Sequence, residues 1–167
     1  INTAVSSTVL TNDSDPQGNS FGVTSFQFDS NGDGIPDGAG TIGAIISIGG
    51  KTTAGTPVSN AGSIIINADG TYSFTPANDF TGVVELPYTI TDVLGATSMA
   101  LLKIDVLPNA IVPSNNPPFA GDDFKYTKLN SPVGGTAFSN DGDPNAGQII
   151  SVSSIGGLPV AGPTTTA

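Results

Sequence analysis

Along the chain, apolar residues alternate with polar ones or gather in short runs between turn residues, and no window carries the spacing of an amphipathic helix. In Ser98–Val106 the residues Ala100, Leu102, Ile104 and Val106 share one face, with Lys103 and Asp105 on the other. Leu86, Tyr88 and Ile90 form the same pattern just upstream, and Thr91–Gly95 supplies a short reversal between the two strands. Earlier, Ile64–Asn67 and Thr71–Thr75 flank Ala68-Asp69-Gly70, where Asp-Gly signals a hairpin because the turn needs positive φ. Short strands with frequent turn signals predict an all-β sandwich of about seven strands.

The pattern also repeats. Val5-Ser-Ser-Thr8 and Asn12-Asp-Ser-Asp-Pro16 are echoed by Val133-Gly-Gly-Thr136 and Asn140-Asp-Gly-Asp-Pro144 at an offset of 128. Val23–Phe26 matches Val152–Ile155, whereas Ile48-Gly-Gly50 and Ala54-Gly55 match Ile155-Gly-Gly157 and Ala161-Gly162 at an offset of only 107. The first copy therefore carries an insertion near residues 27–48 that the second lacks. Residues 1–112 read as a repeat without its first strand, and residues 113–167 as a linker with the first part of a second repeat. In the second copy, Asn116–Asp123 and a strand near Phe124–Thr127 precede the Asn-Asp motif. The Pro-rich stretch Pro108–Pro118 reads as an extended, semi-rigid connection. The first residues lack the charged and apolar regions of a signal peptide, so the chain reads as a mature or excised piece whose open sheet edge lowers its stability.

Composition narrows the chemistry. The chain has no His, Cys, Arg or Trp, and its net charge is -10. Without His or Cys there is no imidazole base, no usual zinc site and no disulfide framework. A surplus of negative charge without Arg excludes nucleic acid as a partner and opposes an anionic membrane surface. No apolar run reaches the roughly 20 residues that span a bilayer, so direct membrane insertion is not expected. A glycosidase-like carboxyl pair could be drawn from Asp13 with Asp15, or from Asp122 with Asp123. Those pairs recur once per repeat, as structural joints do, while the single Glu, Glu85, faces outward and the aromatic residues fall on core positions. The chain reads as non-catalytic.

The acidic residues are nearly all Asp, and they sit in loops. Asp29-Ser-Asn-Gly-Asp-Gly-Ile-Pro-Asp37 places oxygen donors at alternate positions around Gly34, which follows the logic of a calcium loop. Asp29, Asn31, Asp33 and Asp37 are the candidate side-chain ligands, and Ile35 offers its carbonyl. The bidentate Glu of an EF-hand is absent, since Gly40 stands at that position, and Pro36-Asp37 instead resembles the calcium loops of thrombospondin type 3 repeats. So dense a set of acidic and amide groups is expected to need a cation to stay folded; the competing reading is a polar turn without metal. Asp13 and Asp15, repeated as Asp141 and Asp143, are further candidates, as is Asp79 beside Asn78. These loops are expected at the end of the sandwich from which the linker with Asn115 and Asn116 departs, so that calcium would stiffen the joint. Asp92, Asp122 and Asp123 are placed at the opposite end of their repeats, and Asp69 is read as turn chemistry.

Taken in order, Asn12–Gly18, Ala68–Pro76, Asn78–Gly82, Tyr88–Gly95 and Asn116–Asp123 resemble the tandem cadherin-like or Ig-like repeats of very large bacterial adhesins, over nearly the whole chain. The resemblance implies Greek-key β-sandwich repeats, rigidified by Ca2+, that form a stalk on the extracellular bacterial cell surface. Its partners would be neighbouring repeats of the same chain, with surface glycans or other cells as the adhesive target. The glycine-rich style is similar to the gliding and surface adhesins of the Bacteroidetes. A ligand- or glycan-binding module, or an accessory module of a secreted hydrolase, is the alternative reading.

Overall fold

The computed structural model describes residues 3–108, 115–145, 147–155 and 158–159. The chain divides into two units, Ile1–Asn109 and Ala110–Ala167. The described residues contain no helix.

The N-terminal unit holds β1 (Val5–Thr8), β2 (Phe21–Phe28), β3 (Gly38–Gly40), β4 (Ile46–Thr52), β5 (Pro57–Ile66), β6 (Thr71–Pro76), β7 (Gly82–Asp92) and β8 (Thr97–Val106). One layer runs β3-β2-β7-β8 and the other β1-β6-β5-β4, with every pairing antiparallel. This is an all-β, Ig-like sandwich. β7 is its hub: β8 pairs along its whole length on one edge, from Gly82↔Val106 to Thr91↔Thr97. The opposite edge is shared, with β4 meeting Gly82 and Val83 and β2 meeting Tyr88–Asp92. The two layers are thus continuous at one corner.

Alternation along the strands places the core between the layers. Val23, Phe26, Val84, Leu86, Tyr88 and Ile104 from one layer meet Ile48, Ile64, Ile66 and Phe74 from the other, all buried. Ile104 is buried while Lys103 and Asp105 are exposed, as the period-two pattern predicts. Ala100 shares that inner face but stays exposed, because β8 pairs only with β7. The Asp69-Gly70 turn closes the β5–β6 hairpin, with Gly70 at φ 82.

The corner between the layers is tighter than the sequence suggests. A Cβ on Gly50 would lie 2.6 Å from the Val83 carbonyl oxygen, and one on Gly82 (φ 149) would meet the Lys51 carbonyl. The loop after β2 docks against the same place. A Cβ on Gly49 would lie 2.6 Å from the Gly32 nitrogen, and the Gly49 N–H donates to the Asp29 carbonyl at 2.8 Å. Gly32, Gly49, Gly50 and Gly82 therefore form one patch of backbone-on-backbone packing.

In the C-terminal unit the described pairing consists of an isolated antiparallel bridge, Phe119↔Gly142, and a short hairpin of β9 (Ser154–Ile155) and β10 (Leu158–Pro159). Among the described residues the strand expected near Phe124–Thr127 has no ladder partner, and Phe124 and Tyr126 are exposed. Positions 109–114 of the expected linker, and Gly156, Gly157 and Ala161-Gly162 of the second repeat, lie outside the described residues.

Because neither sheet can move aside at the corner without losing ladder bonds, Gly82→Ala should destabilise the chain by about 1–3 kcal/mol, read by urea denaturation. Val83→Ala is the control, since it adds no atom to that contact.

Candidate functional site

The loop of residues 29–37 between β2 and β3 is held by its own amides. Asp29 accepts N–H bonds from Asn31 (3.0 Å) and Gly32 (2.6 Å) through Oδ1, and from Gly34 (2.6 Å) through Oδ2. Asn31 Oδ1 accepts from the Asp33 N–H, and Asp33 Oδ1 from the Ile35 N–H. Asp37 closes the loop by accepting the Ser30 hydroxyl at 2.6 Å and the Ser30 N–H at 2.8 Å. Those bonds, the hydroxyl's foremost, hold the Asp37 carboxyl below the usual carboxylate range. Lys51 brings its ammonium against Gly34.

Within the loop Asp29, Asp33 and Asp37 are each met by backbone N–H groups, and Lys51 adds positive charge beside them. The residues still suit a hard cation in kind: Asp29, Asn31, Asp33, Asp37 and the Ile35 carbonyl are all oxygen donors, and a carboxylate oxygen bonded to one N–H retains further acceptor capacity. Among the described residues, however, no three His, Cys, Asp or Glu side chains gather as a ready metal-binding group.

The acidic loops near the strand ends are distributed differently from the expectation. β1 runs antiparallel to β6, so Thr8 lies opposite Thr71 and the loop after β1 emerges at the β5–β6 hairpin end. There Asp15 Oδ1 accepts N–H bonds from Gln17 (2.8 Å) and Asn19 (2.9 Å), while the Ser20 carbonyl accepts from the Val93 N–H. Asp13, Asp15, Asp69 and Asp92 therefore share one end. Asn78 and Asp79 lie at the other, between the last residue of β6 and the first of β7, where β8 also finishes. Asp79, exposed and at φ 61, cannot share an ion with Asp13 and Asp15 across the length of the sandwich. Asp92 Oδ1 accepts from the Leu94 and Ala96 N–H groups, and Asp69 Oδ1 from the Thr71 N–H and hydroxyl, so both act as turn residues.

In the C-terminal unit, Asp122 and Asp123 are likewise not remote from Asp141 and Asp143. The Asn140 side-chain amide donates to the Asp122 carbonyl at 3.0 Å, and Asp141 Oδ1 accepts the Gly121 N–H at 2.8 Å. Asp143 Oδ1 accepts the Asn145 N–H at 2.7 Å, the same turn that Asp15 makes with Gln17.

One functional pair was not foreseen. The buried Tyr88 hydroxyl approaches both the Val9 carbonyl (3.1 Å) and Asp13 Oδ2 (3.0 Å), tying the loop after β1 to β7. Burial pushes the Asp13 carboxyl above its ordinary range, partly offset by this bond. Burial first, and then the Asp13 charge, push the Tyr88 phenol far up as well. The signal was present in the sequence: a tyrosine on a core-facing strand position needs an acceptor for its hydroxyl.

Residues 51–107 match a family model described as a cadherin-like domain. Over these residues the Ig-like sandwich of the N-terminal unit is similar to a cadherin-like domain. The match spans β5 to β8, including the Tyr88 strand. Comparisons with curated proteins and with solved structures find no match.

Asp13 sets a test of this site. Its folded carboxyl is shifted upward, so the stabilisation from its neutral form is present below the ordinary carboxylate range and is lost as pH rises through the folded value. At pH 7 the ionised group is a cost. Asp13→Asn, which keeps an oxygen for Tyr88, should raise the melting temperature by a few degrees at pH 7 in calcium-free buffer. That gain should shrink to nothing near pH 3. A lower melting temperature at pH 7 would show that the charge itself holds the loop.

Proposed function

We propose that this chain is part of a non-catalytic stalk: a calcium-stiffened repeat of a large secreted bacterial surface adhesin that serves attachment or gliding. The observation that carries the reading is a cadherin-like sandwich followed in the same chain by a second copy of its Asn-Asp-x-Asp-Pro loop, folded through the same turn. A repeated structural loop suits an array in which each module meets its neighbours. Asp15 and Asp143 accept bonds from local amides and Asp13 meets Tyr88, roles that suit structural joints.

In this reading Ca2+ binds first at the loop of residues 29–37, held by Asp29, Asn31, Asp33, Asp37 and the Ile35 carbonyl. It supplies positive charge among donors that the loop already holds in place. Since Gly32 packs on β4, an ion there would tie the loop to the tight corner between the layers. Asp13 with Asp15, Asp79, Asp122 with Asp123, and Asp141 with Asp143 are second-rank candidates, and at most they act at separate ends. The partners are neighbouring repeats, and surface glycans or other cells are the adhesive target.

Calcium at a hundred times its dissociation constant should stabilise the chain by about 2.7 kcal/mol per site, seen as a higher melting temperature that a chelator reverses. Asp29→Ala with Asp33→Ala should remove one ion in titration calorimetry. Identical melting curves with calcium and with chelator would overturn the calcium part of the proposal.

A further inference from the structure

Between residues 1 and 109, ten side-chain carboxylates stand against two lysines, Lys51 and Lys103, so the place each lysine takes matters. Lys103 lies opposite Glu85 in the β7–β8 ladder but pairs with Asp105 at 3.8 Å. Lys51 forms no ion pair among the described residues. It goes instead to the loop of residues 29–37.

The backbone of β4 delivers it there. Gly49 and Gly50 carry no side chain, so Gly32 settles directly on the strand. Lys51 follows at once, its own backbone held between Pro57 on one side and Val83 on the other. A Cβ on Gly34 would run into Lys51 Nζ and lie 3.3 Å from its Cε. Gly34 is also the residue whose N–H donates to Asp29 Oδ2 at 2.6 Å, and Asp33 precedes it in the chain. A full positive charge thus lies beside three carboxylates without bridging to any of them.

The ammonium has a second place to go. Lys51 borders a cleft of about 80 Å³ whose lining includes Asp29, Pro36, Glu85 and Leu101. Glu85 is exposed and forms no ion pair with Lys103, so it offers a carboxylate outside the loop. The flexible four-carbon stem of lysine suits a move between the two. A divalent cation drawn to Asp29, Asn31, Asp33 and Asp37 meets this charge at close range, and like charges a few ångströms apart repel appreciably even in water.

We propose that Lys51 is the resident counter-charge of the 29–37 loop, and that a divalent cation enters against it as the ammonium moves off toward Glu85. Lys51 thereby lowers the affinity of the loop and sets the calcium concentration at which it fills. The competition rests on the calcium reading given above; the counter-charge does not.

The test titrates calcium chloride into the whole 167-residue chain by calorimetry, with melting curves taken in chelator at low salt. Lys51→Met keeps an apolar stem and removes the charge, and it should bind calcium several-fold more tightly. Lys51→Arg keeps the charge and should bind as the unaltered chain does. Glu85→Gln should weaken binding, and that effect should vanish in combination with Lys51→Met. An undiminished effect in the double variant would mean that the two charges act separately, which overturns the move to Glu85. Equal affinity of Lys51→Met and the unaltered chain overturns the competition while the calcium site stands. If no variant binds calcium, the calcium reading falls, and the melting curves decide the counter-charge. There Lys51→Met should melt lower than the unaltered chain, with the gap closing in added salt and absent in Lys51→Arg. No gap in chelator overturns the counter-charge as well.

Discussion

The sandwich depends on a corner where backbone touches backbone. β7 hands its edge from β4 to β2 within a few residues, and the crossing is possible only because Gly50 and Gly82 leave no side chain between strands. The loop of residues 29–37 uses the same opening, with Gly32 lying on Gly49. Packing of this kind is specific but unforgiving, since an added methyl group has no space to enter and the ladder bonds resist displacement. What the insertion does is therefore tied to how the layers join.

The charges are arranged around this frame in two manners. Asp29, Asp33 and Asp37, like Asp69 and Asp92, are satisfied by nearby N–H groups, so the high negative charge does not amount to unpaired repulsion. Asp13 is different: it is half-buried and answers to Tyr88 across the fold. The one ion pair among the described residues, Lys103 with Asp105 at 3.8 Å, is exposed and adds little. Local Asx turns, the Tyr88 contact and, in the C-terminal unit, the bonds of Asp141 and Asn140 to Gly121 and Asp122 position the acidic loops, with no part for ion pairs among the described residues.

The two copies of one motif share a local turn. Asp15 and Asp143 make the same turn, so local chemistry is preserved between copies. In the C-terminal unit the loop's outer backbone is paired by an extended segment more than twenty residues away in sequence, as the Phe119–Gly142 bridge shows.

Much of the fold was legible because strands announce themselves by period two. The faces of β7 and β8, the Asp69-Gly70 hairpin and the all-β class follow from alternation and from turn residues that need particular φ values. The calcium-like spacing of residues 29–37 was equally plain, because donor spacing is a local property. Tertiary structure decided which loops share an end, since antiparallel pairing of β1 with β6 sends Asp13 and Asp15 away from Asp79. The Tyr88–Asp13 contact and the glycine corner belong to the same class. They join residues far apart in the chain, and only the packing of one layer on the other brings them within reach.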